Sequence, residues 1–308
     1  MGIVVLRDPY GRPLKGIRIS VTQRCNLKCF YCHLEGEDPS WKDEMTPNEI
    51  QKIVSIAASF GIGRVKLTGG EPLLREDIVE IVEKIHNIPG VKEVSMTTNG
   101  TLLSKYAYDL KKAGLTRVNV SLDTLVKEKY RQITGADTFN SVVSGILEAR
   151  NAGLDPVKVN MVLLKGLNED ELFEMIDFAR GNGVILQIIE FESPYENEMY
   201  RKYHVGLDAI EELLAKLSER ITIREMHHRK RYHLQGGGEV EVVRPMHNTE
   251  FCRYCNRIRL TSNGKLKPCL FRNDNLIDIV GPLRKGATDD ELKKLFLEAV
   301  KRRKPYFE

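Results

Sequence analysis

The sequence of 308 residues predicts an α/β protein, a partial TIM-like barrel of about six strand–helix units followed by a C-terminal extension. Short apolar runs alternate with amphipathic stretches from residue 17 to about residue 191, which favours parallel strands joined by right-handed crossovers. Helix-capping residues and glycines mark the boundaries of these units. Because eight units close a complete barrel, six indicate an incomplete one.

The predicted strands are six apolar runs bounded by turn-forming residues, a pattern typical of strands buried in a parallel sheet. They lie at residues 17–21, 65–67, 94–97, 117–122, 157–162 and 185–191. Between them, Thr46 with Glu49 predicts a capping box at a helix N-terminus, and Asn168 with Glu171 predicts another. Glycines follow four of the helical stretches, where a left-handed residue is favoured: Gly61, Gly114, Gly153 and Gly183.

The alternation stops after residue 199. Two helices and a strand are predicted beyond it, at residues 207–218, 289–303 and 240–244. A basic run at residues 227–231 is interpreted as a solvated loop, because no interleaved aromatic residues support stacking on nucleic-acid bases. We therefore divide the chain into a barrel at residues 1–225 and a C-terminal region at residues 226–308.

Polar residues lie on or just after each predicted strand, toward its carboxyl end. In strand order they are Cys25 to Cys32, Gly69-Gly70-Glu71, Thr97 to Gly100, Ser121 with Asp123, Asn160, and Glu190 with Glu192. Active sites of parallel α/β folds lie at this rim, so six converging segments indicate an enzyme. Taken alone, Gly69-Gly70 reads as a simple turn, but beside a ligand it permits close backbone approach, and Glu71 can accept hydrogen bonds from an ammonium group.

Three cysteines with the spacing C-x3-C-x2-C follow the first strand: Cys25, Cys29 and Cys32. Three thiolates on one loop can hold three irons of a 4Fe–4S cluster and leave the fourth iron open for a substrate or cosubstrate. The alternative is a zinc site, which is normally closed by four ligands and would use His33 as the fourth.

The other three cysteines, Cys252, Cys255 and Cys269, form a second triad in the C-terminal region. We interpret it as the site of a second cluster, with a zinc site near His247 as the alternative. Since both triads together use all six cysteines, no thiol is left over for a disulfide framework, which would in any case suit a short secreted chain.

Composition narrows the class of protein without deciding it. The 47 Lys and Arg residues against 43 Asp and Glu give a net charge of +4, which suits an anionic small substrate as well as nucleic acid. Residues 1–8 have neither a basic n-region nor an apolar h-region, and no apolar stretch of about 18 residues occurs. We therefore expect a cytoplasmic protein that binds neither membrane nor nucleic acid.

With both triads and the Gly-Gly-Glu turn in view, the chain closely resembles the GTP 3′,8-cyclase family (molybdenum cofactor biosynthesis protein A) of the radical S-adenosylmethionine (SAM) superfamily. The resemblance extends from about residue 5 to residue 278. It rests on residues 24–32, 133–135, 156–160, 251–261 and 264–271.

The resemblance implies two 4Fe–4S clusters, SAM as cosubstrate and GTP as substrate. Cys25, Cys29 and Cys32 would hold the SAM-binding cluster, and Cys252, Cys255 and Cys269 a second cluster whose open iron meets guanine. The implied SAM-binding residues are Tyr31, Gly69, Gly70, Glu71, Ser121 and Glu192. The implied GTP-binding residues are Arg18, Lys66, Thr97, Lys158, Arg257 and Arg259. Alternation places Arg257 and Arg259, the catalytic candidates, on one side of an extended segment.

The implied reaction is that of a lyase. A 5′-deoxyadenosyl radical from reductive cleavage of SAM takes hydrogen from C3′ of the GTP ribose, and attack on C8 gives 3′,8-cyclo-7,8-dihydro-GTP, the first step of molybdenum cofactor biosynthesis. An electron donor of unknown identity is required. A monomer or a homodimer is expected.

Two departures from the family pattern stand out. Glu192 occupies a position where the family typically carries Met, and residues 304–308 lack the Gly-Gly with which many members end. We therefore expect either that this branch of the family is activated differently or that its function has changed from that of the family. One alternative is a peptide-modifying radical SAM enzyme with one auxiliary cluster, and the cations suited to phosphate argue against it. Another is a zinc-stabilised binding protein, for example one that binds RNA.

Overall fold

Six parallel strands, hydrogen-bonded in chain order, form the centre of the computed structural model, which describes residues 5–40, 43–193 and 197–307. They are β1 (Gly16–Ser20), β2 (Arg64–Thr68), β3 (Glu93–Thr98), β4 (Arg117–Ser121), β5 (Val157–Leu163) and β6 (Ile185–Glu190). The prediction of an α/β, six-unit partial barrel is therefore confirmed.

Helices alternate with these strands and bury their apolar sides in the main hydrophobic core. They are α1 (Pro47–Ser59), α2 (Ile78–His86), α3 (Leu103–Lys112), α4 (Lys127–Thr134), α5 (Phe139–Asn151) and α6 (Leu172–Gly181). The later helices are α7 (Glu198–Tyr203), α8 (Asp208–Leu217), α9 (Thr249–Arg253), α10 (Val280–Arg284) and α11 (Asp289–Lys301). Short 3₁₀ turns lie at Leu34–Gly36, Pro72–Leu74, Glu169–Glu171 and Met226–His228. None of the helices in the described ranges is long and apolar enough to cross a membrane.

The C-terminal region extends both edges of the same sheet. Its strands are β7 (Ser218–Ile223), β8 (Lys230–Leu234), β9 (Glu239–Val243), β10 (Arg257–Leu260), β11 (Lys265–Lys267) and β12 (Ile277–Asp278). Strand β9 pairs in parallel with β6, and β10 pairs in parallel with β1, so that the sheet order is β12-β11-β10-β1-β2-β3-β4-β5-β6-β9-β8-β7. The predicted boundary at residue 225 falls in the β7–β8 connection, and the division into two regions stays a prediction.

One of the two predicted capping boxes is present. The backbone N–H of Glu49 donates to Thr46 Oγ1 at 3.2 Å, and that of Thr46 donates to Glu49 Oε2 at 2.8 Å. The box predicted at Asn168 is wrong, because tertiary partners occupy its side chain. The Asn168 amide donates to the backbone carbonyls of Asp123 and Val162 at 2.7 and 2.9 Å, and α6 begins only at Leu172.

The four predicted C′ glycines all adopt left-handed backbone conformations, with φ between 61° and 103°. Gly114 and Gly153 differ in their surroundings. A Cβ at Gly114 would lie 2.3 Å from Cγ of His86, whereas one at Gly153 would meet nothing nearer than Cε of Lys111 at 3.9 Å. An alanine at Gly153 therefore tests backbone strain alone, whereas an alanine at Gly114 tests backbone strain together with steric overlap.

We predict that Gly153→Ala lowers the free energy of unfolding by about 1–2 kcal/mol, the strain of a left-handed alanine. Gly114→Ala should lower it by a further ~1–3 kcal/mol, because the imidazole ring of His86 must move. Unfolding of anaerobically purified protein measures both values. The double variant His86→Ala/Gly114→Ala should recover part of the loss, and equal losses in the two single variants would contradict the steric argument.

Candidate active site

A cavity of about 360 Å³ opens where the predicted polar segments converge, and both cysteine triads line it. Every predicted site residue except Glu71 contributes to its wall. The triads are about 220 residues apart in the chain, and the pairing of β10 with β1 brings them to one cavity. The fold thus joins the two motifs that the sequence shows separately.

The first triad lies on a loop that α4 fixes in place. The backbone N–H of Lys28 donates to the carbonyl of Thr134 at 2.8 Å, and that of Phe30 donates to Ile133 at 3.2 Å. Within the loop, the N–H of Cys32 donates to the carbonyl of Cys29 at 3.1 Å. The segment at residues 133–135, one of the motifs behind the family resemblance, therefore holds the cysteine loop.

The metal-free thiols of this triad are poor acids. Burial, then Asp123 and the two neighbouring thiols, raises the pKa of Cys29 to about 12, and burial also raises the pKa values of Cys25 and Cys32. Three thiolates here would repel one another unless a cationic group bound between them. The donor set therefore fits a bound metal cluster.

A zinc ion and a cubane cluster require different separations between the sulfurs of a cysteine triad. Zinc with Zn–S bonds of about 2.3 Å holds neighbouring sulfurs roughly 3.8 Å apart. In residues 5–40, 43–193 and 197–307, no three His, Cys, Asp or Glu side chains converge on one metal ion. In a cubane each thiolate binds a different iron, so the three sulfurs lie farther apart.

Gly69 and Gly70 pack the turn after β2 directly against the cysteine loop. A Cβ at Gly69 would lie 2.1 Å from the carbonyl oxygen of Thr22, and one at Gly70 would lie 2.3 Å from that of Arg24. The backbone N–H of Gly70 donates to the Thr22 carbonyl at 2.8 Å. Both glycines line the cavity, but the contact that requires them is this backbone packing, which sets the position of Cys25.

Glu71 lies behind the cavity wall, and its side chain is fully buried. It accepts hydrogen bonds from Thr98 Oγ1 at 2.7 Å and from the backbone N–H groups of Leu73 and Asn99 at 3.0 and 2.6 Å. Burial raises its pKa to about 7 despite these donors. It joins the turns after β2 and β3, and binding of a ligand ammonium group by Glu71 stays a prediction.

Three residues with hydroxyl groups, Tyr31, Thr97 and Ser121, line one wall of the cavity. Tyr31 donates a short hydrogen bond to Asp123, which also accepts from the backbone N–H of Val162 at 2.8 Å. Burial raises the pKa of Asp123 to about 6. Thr97 Oγ1 is buried and has no hydrogen-bond partner among the described residues, so a ligand can satisfy it. Ser121 lines the same wall.

The second triad is held by a charged network from both ends of the described chain. Arg12 donates to the carbonyl of Cys252 at 3.0 Å, and Arg303 donates to that of Cys255 at 2.9 Å. Asp8 lies 2.7 Å from Arg12 and 3.1 Å from Arg303. Sequence reasoning missed these residues, because nothing near them marks a contact so distant in the chain.

Burial opposes ionisation of the Cys255 thiol, but Arg303, a backbone hydrogen bond and Arg257 lower its pKa below the usual value. Burial raises the pKa of Cys269. The second triad thus combines the thiol of Cys255, which ionises more readily than usual, with that of Cys269, which ionises less readily. Both are suited to a bound cation.

Three of the predicted GTP-binding cations are paired with carboxylates. Glu35 forms salt bridges with Arg18 and with Arg259, the latter at 2.6 Å, and Lys158 Nζ lies 2.6 Å from Glu241. Although burial alone would raise it, the pKa of Glu35 is held well below its usual range by the two arginines. Burial outweighs the Glu241 charge and lowers the pKa of Lys158 to about 7. Sequence reasoning missed both carboxylates.

Two other cations of the wall, Lys66 and Arg257, lack a carboxylate within 4.0 Å in the part of the chain that the structure describes. Lys66 donates to Asn119 Oδ1 at 2.7 Å, and Arg257 lies 3.3 Å from the sulfur of Met226. Burial and neighbouring cations lower the pKa values of both Lys66 and Arg257 well below normal. The cavity therefore carries uncompensated positive charge, which attracts a polyanion.

The basic run at residues 227–231 was wrongly predicted to be a solvated loop. His227 and Arg229 line the cavity, and the ring of His227 stacks on Phe251 with centroids 3.7 Å apart. His228 stacks on Tyr254 at 3.2 Å. These ring contacts attach the run to α9, which carries Cys252. The sequence analysis missed these contacts because Phe251 and Tyr254 are distant from the basic run in the chain.

Glu192 and residues near the C-terminus complete the wall. Burial raises the pKa of Glu192, and the positive charges of His33, Arg259 and Arg18 act in the opposite direction. Lys304 and Tyr306 also line the cavity. Glu308, like Met1 to Val4 at the other end, lies outside the described residues.

Comparisons with known proteins agree with this geometry. Residues 19–179 match the model of the radical SAM superfamily, and residues 184–308 match that of Molybdenum Cofactor Synthesis C. A probable GTP 3′,8-cyclase from Methanothermobacter thermautotrophicus is 50% identical over 98% of this chain and 99% of its own length. One from Thermococcus kodakarensis is 50% identical over 98% of this chain and 100% of its own length.

Among solved structures, Streptococcus suis SuiB bound to the precursor peptide SuiA superposes with a TM-score of 0.66. The two share 19% identity over 98% of this chain and 66% of SuiB. Native anSMEcpe with bound AdoMet gives a TM-score of 0.58 and 21% identity, over 85% of this chain and 75% of its own. These structures show a shared fold.

The backbone packing of Gly70 generates a test of the cysteine loop. We predict that Gly70→Ala displaces residues 22–25 and lowers the iron content of the first triad, because its Cβ would overlap carbonyl oxygens at 2.3 and 2.6 Å. Gly181→Ala is the matched control, since its Cβ meets nothing within 4 Å. Iron analysis with visible absorbance of anaerobically purified protein measures the effect. Full iron content in Gly70→Ala would contradict it.

Proposed function

The chain belongs to the radical SAM superfamily and, within it, to the GTP 3′,8-cyclase family, and from this premise we propose that it converts GTP to 3′,8-cyclo-7,8-dihydro-GTP. This is the first step of molybdenum cofactor biosynthesis, and the Molybdenum Cofactor Synthesis C match supports it. In this proposal Cys25, Cys29 and Cys32 hold the SAM-binding 4Fe–4S cluster. Cys252, Cys255 and Cys269 hold a second cluster beside the nucleotide.

The observation that carries the proposal is one cavity that combines two thiol triads with surplus positive charge. A nucleotide triphosphate needs fixed cations, and arginine offers planar, bidentate donors for its phosphates. Lys66 and Arg257 lack a carboxylate partner among the described residues and line this cavity. A peptide substrate would leave both without a counter-charge, which argues against peptide modification.

When bound at the first triad, a 4Fe–4S cluster and SAM supply the radical that removes hydrogen from C3′ of the ribose. The residues of the chain bind and orient the reactants. Lys66 and Arg257 donate to phosphate oxygens, and Thr97 Oγ1 gains a hydrogen-bond partner. Arg18 and Arg259 approach the nucleotide from adjacent strands, held side by side by Glu35.

The remaining features of the proposal follow from the chemistry. Reductive cleavage of SAM requires an external one-electron donor. Two clusters that oxygen destroys suit the cytoplasm, where the six free cysteines also stay reduced. A monomer or homodimer suffices, because one chain supplies both triads.

We predict about eight irons per chain, as two 4Fe–4S clusters with different roles. Cys29→Ala should abolish SAM cleavage, because no open iron then remains to chelate SAM. Cys255→Ala should retain uncoupled SAM cleavage and yield no cyclised nucleotide. Anaerobic reconstitution with SAM, a reductant and each NTP, followed by chromatography of 5′-deoxyadenosine and nucleotide products, measures both activities.

Two results would contradict this assignment. Stoichiometric zinc without labile sulfide would favour the zinc-stabilised binding protein. Equal loss of SAM cleavage in both variants would mean that the triads do not have separate roles. Cyclised product from wild-type protein and GTP, but from no other NTP, is the result we expect.

We also predict that Arg259→Ala weakens GTP binding or turnover at least tenfold, about 1.4 kcal/mol, since it removes a half-buried donor to the nucleotide. SAM cleavage should persist, because the first triad and its glycine turn are untouched. Lys293→Ala on α11 removes an exposed charge and serves as the control. A further comparison uses Glu35→Gln. If Arg259 acts only by pairing with Glu35, then adding Arg259→Ala to the Glu35→Gln variant will cause no further loss of GTP binding or turnover.

A further inference from the structure

Arg229 is the one member of the basic run whose cavity-facing guanidinium has no assigned role. It lines the cavity, and its buried Nε has no hydrogen-bond partner among the described residues. In the described ranges no carboxylate oxygen lies within 4.0 Å of its guanidinium, whereas the next two residues in sequence, Lys230 and Arg231, form salt bridges. Burial lowers the pKa of Arg229 to about 10, and the charge of Glu241, which lies beyond salt-bridge distance, opposes that shift. A buried cation without a carboxylate in direct contact is stabilised when a ligand supplies an anion.

The turn that carries Arg229 is held rigidly. It joins β7 to β8, and the backbone N–H of Arg224 donates to the carbonyl of Arg229 at 2.9 Å. His227 and His228 adopt left-handed conformations and stack on Phe251 and Tyr254. The N–H of His227 also donates to the carbonyl of Tyr254 at 3.0 Å. A side chain on such a turn is preorganised for binding.

The turn lies toward the amino ends of the barrel strands. Glu225, on the same connection, pairs with Lys15, which precedes β1, and with Arg64, the first residue of β2. The first triad follows the opposite, carboxyl end of β1. Arg229 therefore occupies the part of the cavity wall that is remote from the first triad.

The neighbouring carboxylate is already occupied by other cations. Lys158, Arg224 and Arg231 approach Oε1 of Glu241 at 2.6, 2.6 and 2.5 Å, and Arg229 makes no such contact. Lys158, which the sequence suggested as a phosphate ligand, is thus paired. Together with burial, the positive charge of Arg229 contributes to the lowered pKa of Lys158, and Glu241 acts on Arg229 without forming a salt bridge to it.

We propose that Arg229 binds the terminal phosphates of the nucleotide and so sets the preference of this site for a triphosphate over a monophosphate. The inference rests on the proposed function, since it specifies how the same cavity recognises GTP. The nucleoside then lies between the two triads, and the phosphate chain extends toward the amino ends of the strands. Arg229 is the polyphosphate donor on the β8 side of the cavity.

The test compares nucleotide affinities in the cluster-loaded protein under anaerobic conditions. Arg229→Gln should weaken GTP binding at least tenfold and change GMP binding by less than about threefold, because GMP has no terminal phosphates to lose a charge-assisted contact. Arg229→Lys should retain part of the GTP affinity. Lys230→Gln removes the same charge from the adjacent, exposed residue and should bind both nucleotides as the wild type does.

The outcomes separate the inference from the proposed function. Equal weakening of GTP and GMP in Arg229→Gln, or unchanged GTP affinity, overturns the role of Arg229 while leaving GTP cyclisation in place. A wild-type protein that binds no guanine nucleotide overturns the proposed function and the inference with it. Iron content and SAM cleavage should match the wild type in all three variants. If Arg229 had a purely structural role, its substitution would not lower GTP affinity selectively while leaving these two properties unchanged.

Discussion

The parallel pairing of β10 with β1 is the interaction on which the site depends. It places Arg259 beside Arg18 and Arg257 beside Gly16. Because Cys252 and Cys255 immediately precede β10 and Cys269 follows β11, the same pairing brings the second triad to the cavity that the first one lines. A six-stranded sheet does not close into a barrel, and β10 pairs with its open edge at β1.

This pairing also concentrates positive charge, and the chain only partly compensates it. Glu35 lies between Arg18 and Arg259, which would otherwise repel each other across adjacent strands. Lys66 and Arg257 have no such carboxylate among the residues described. At short range in a poorly solvated cavity, like charges are strongly unfavourable. A bound triphosphate would relieve a repulsion that the folded protein retains.

Local patterns in the sequence predicted the alternating units, the capping box at Thr46, the left-handed glycines and the residues of both triads. They failed where a partner is distant in the chain. The side chain of Asn168 turns to the carbonyls of Asp123 and Val162, so the predicted helix cap does not form. The pairing of Lys158 with Glu241 depends on the sheet order, which places β9 next to β6, and no spacing rule reveals it.

The network around Glu241 shows how paired cations still contribute to recognition. Three cations approach one carboxylate oxygen, while its second oxygen is buried without a hydrogen-bond partner in the described structure. One negative charge cannot neutralise them, so this wall remains positive after pairing. Glu241 instead fixes the positions of Lys158, Arg224 and Arg231. The repulsion between these cations is overcome when the protein folds. A polyanion that binds later therefore meets cations that are already in position, and little further rearrangement is needed.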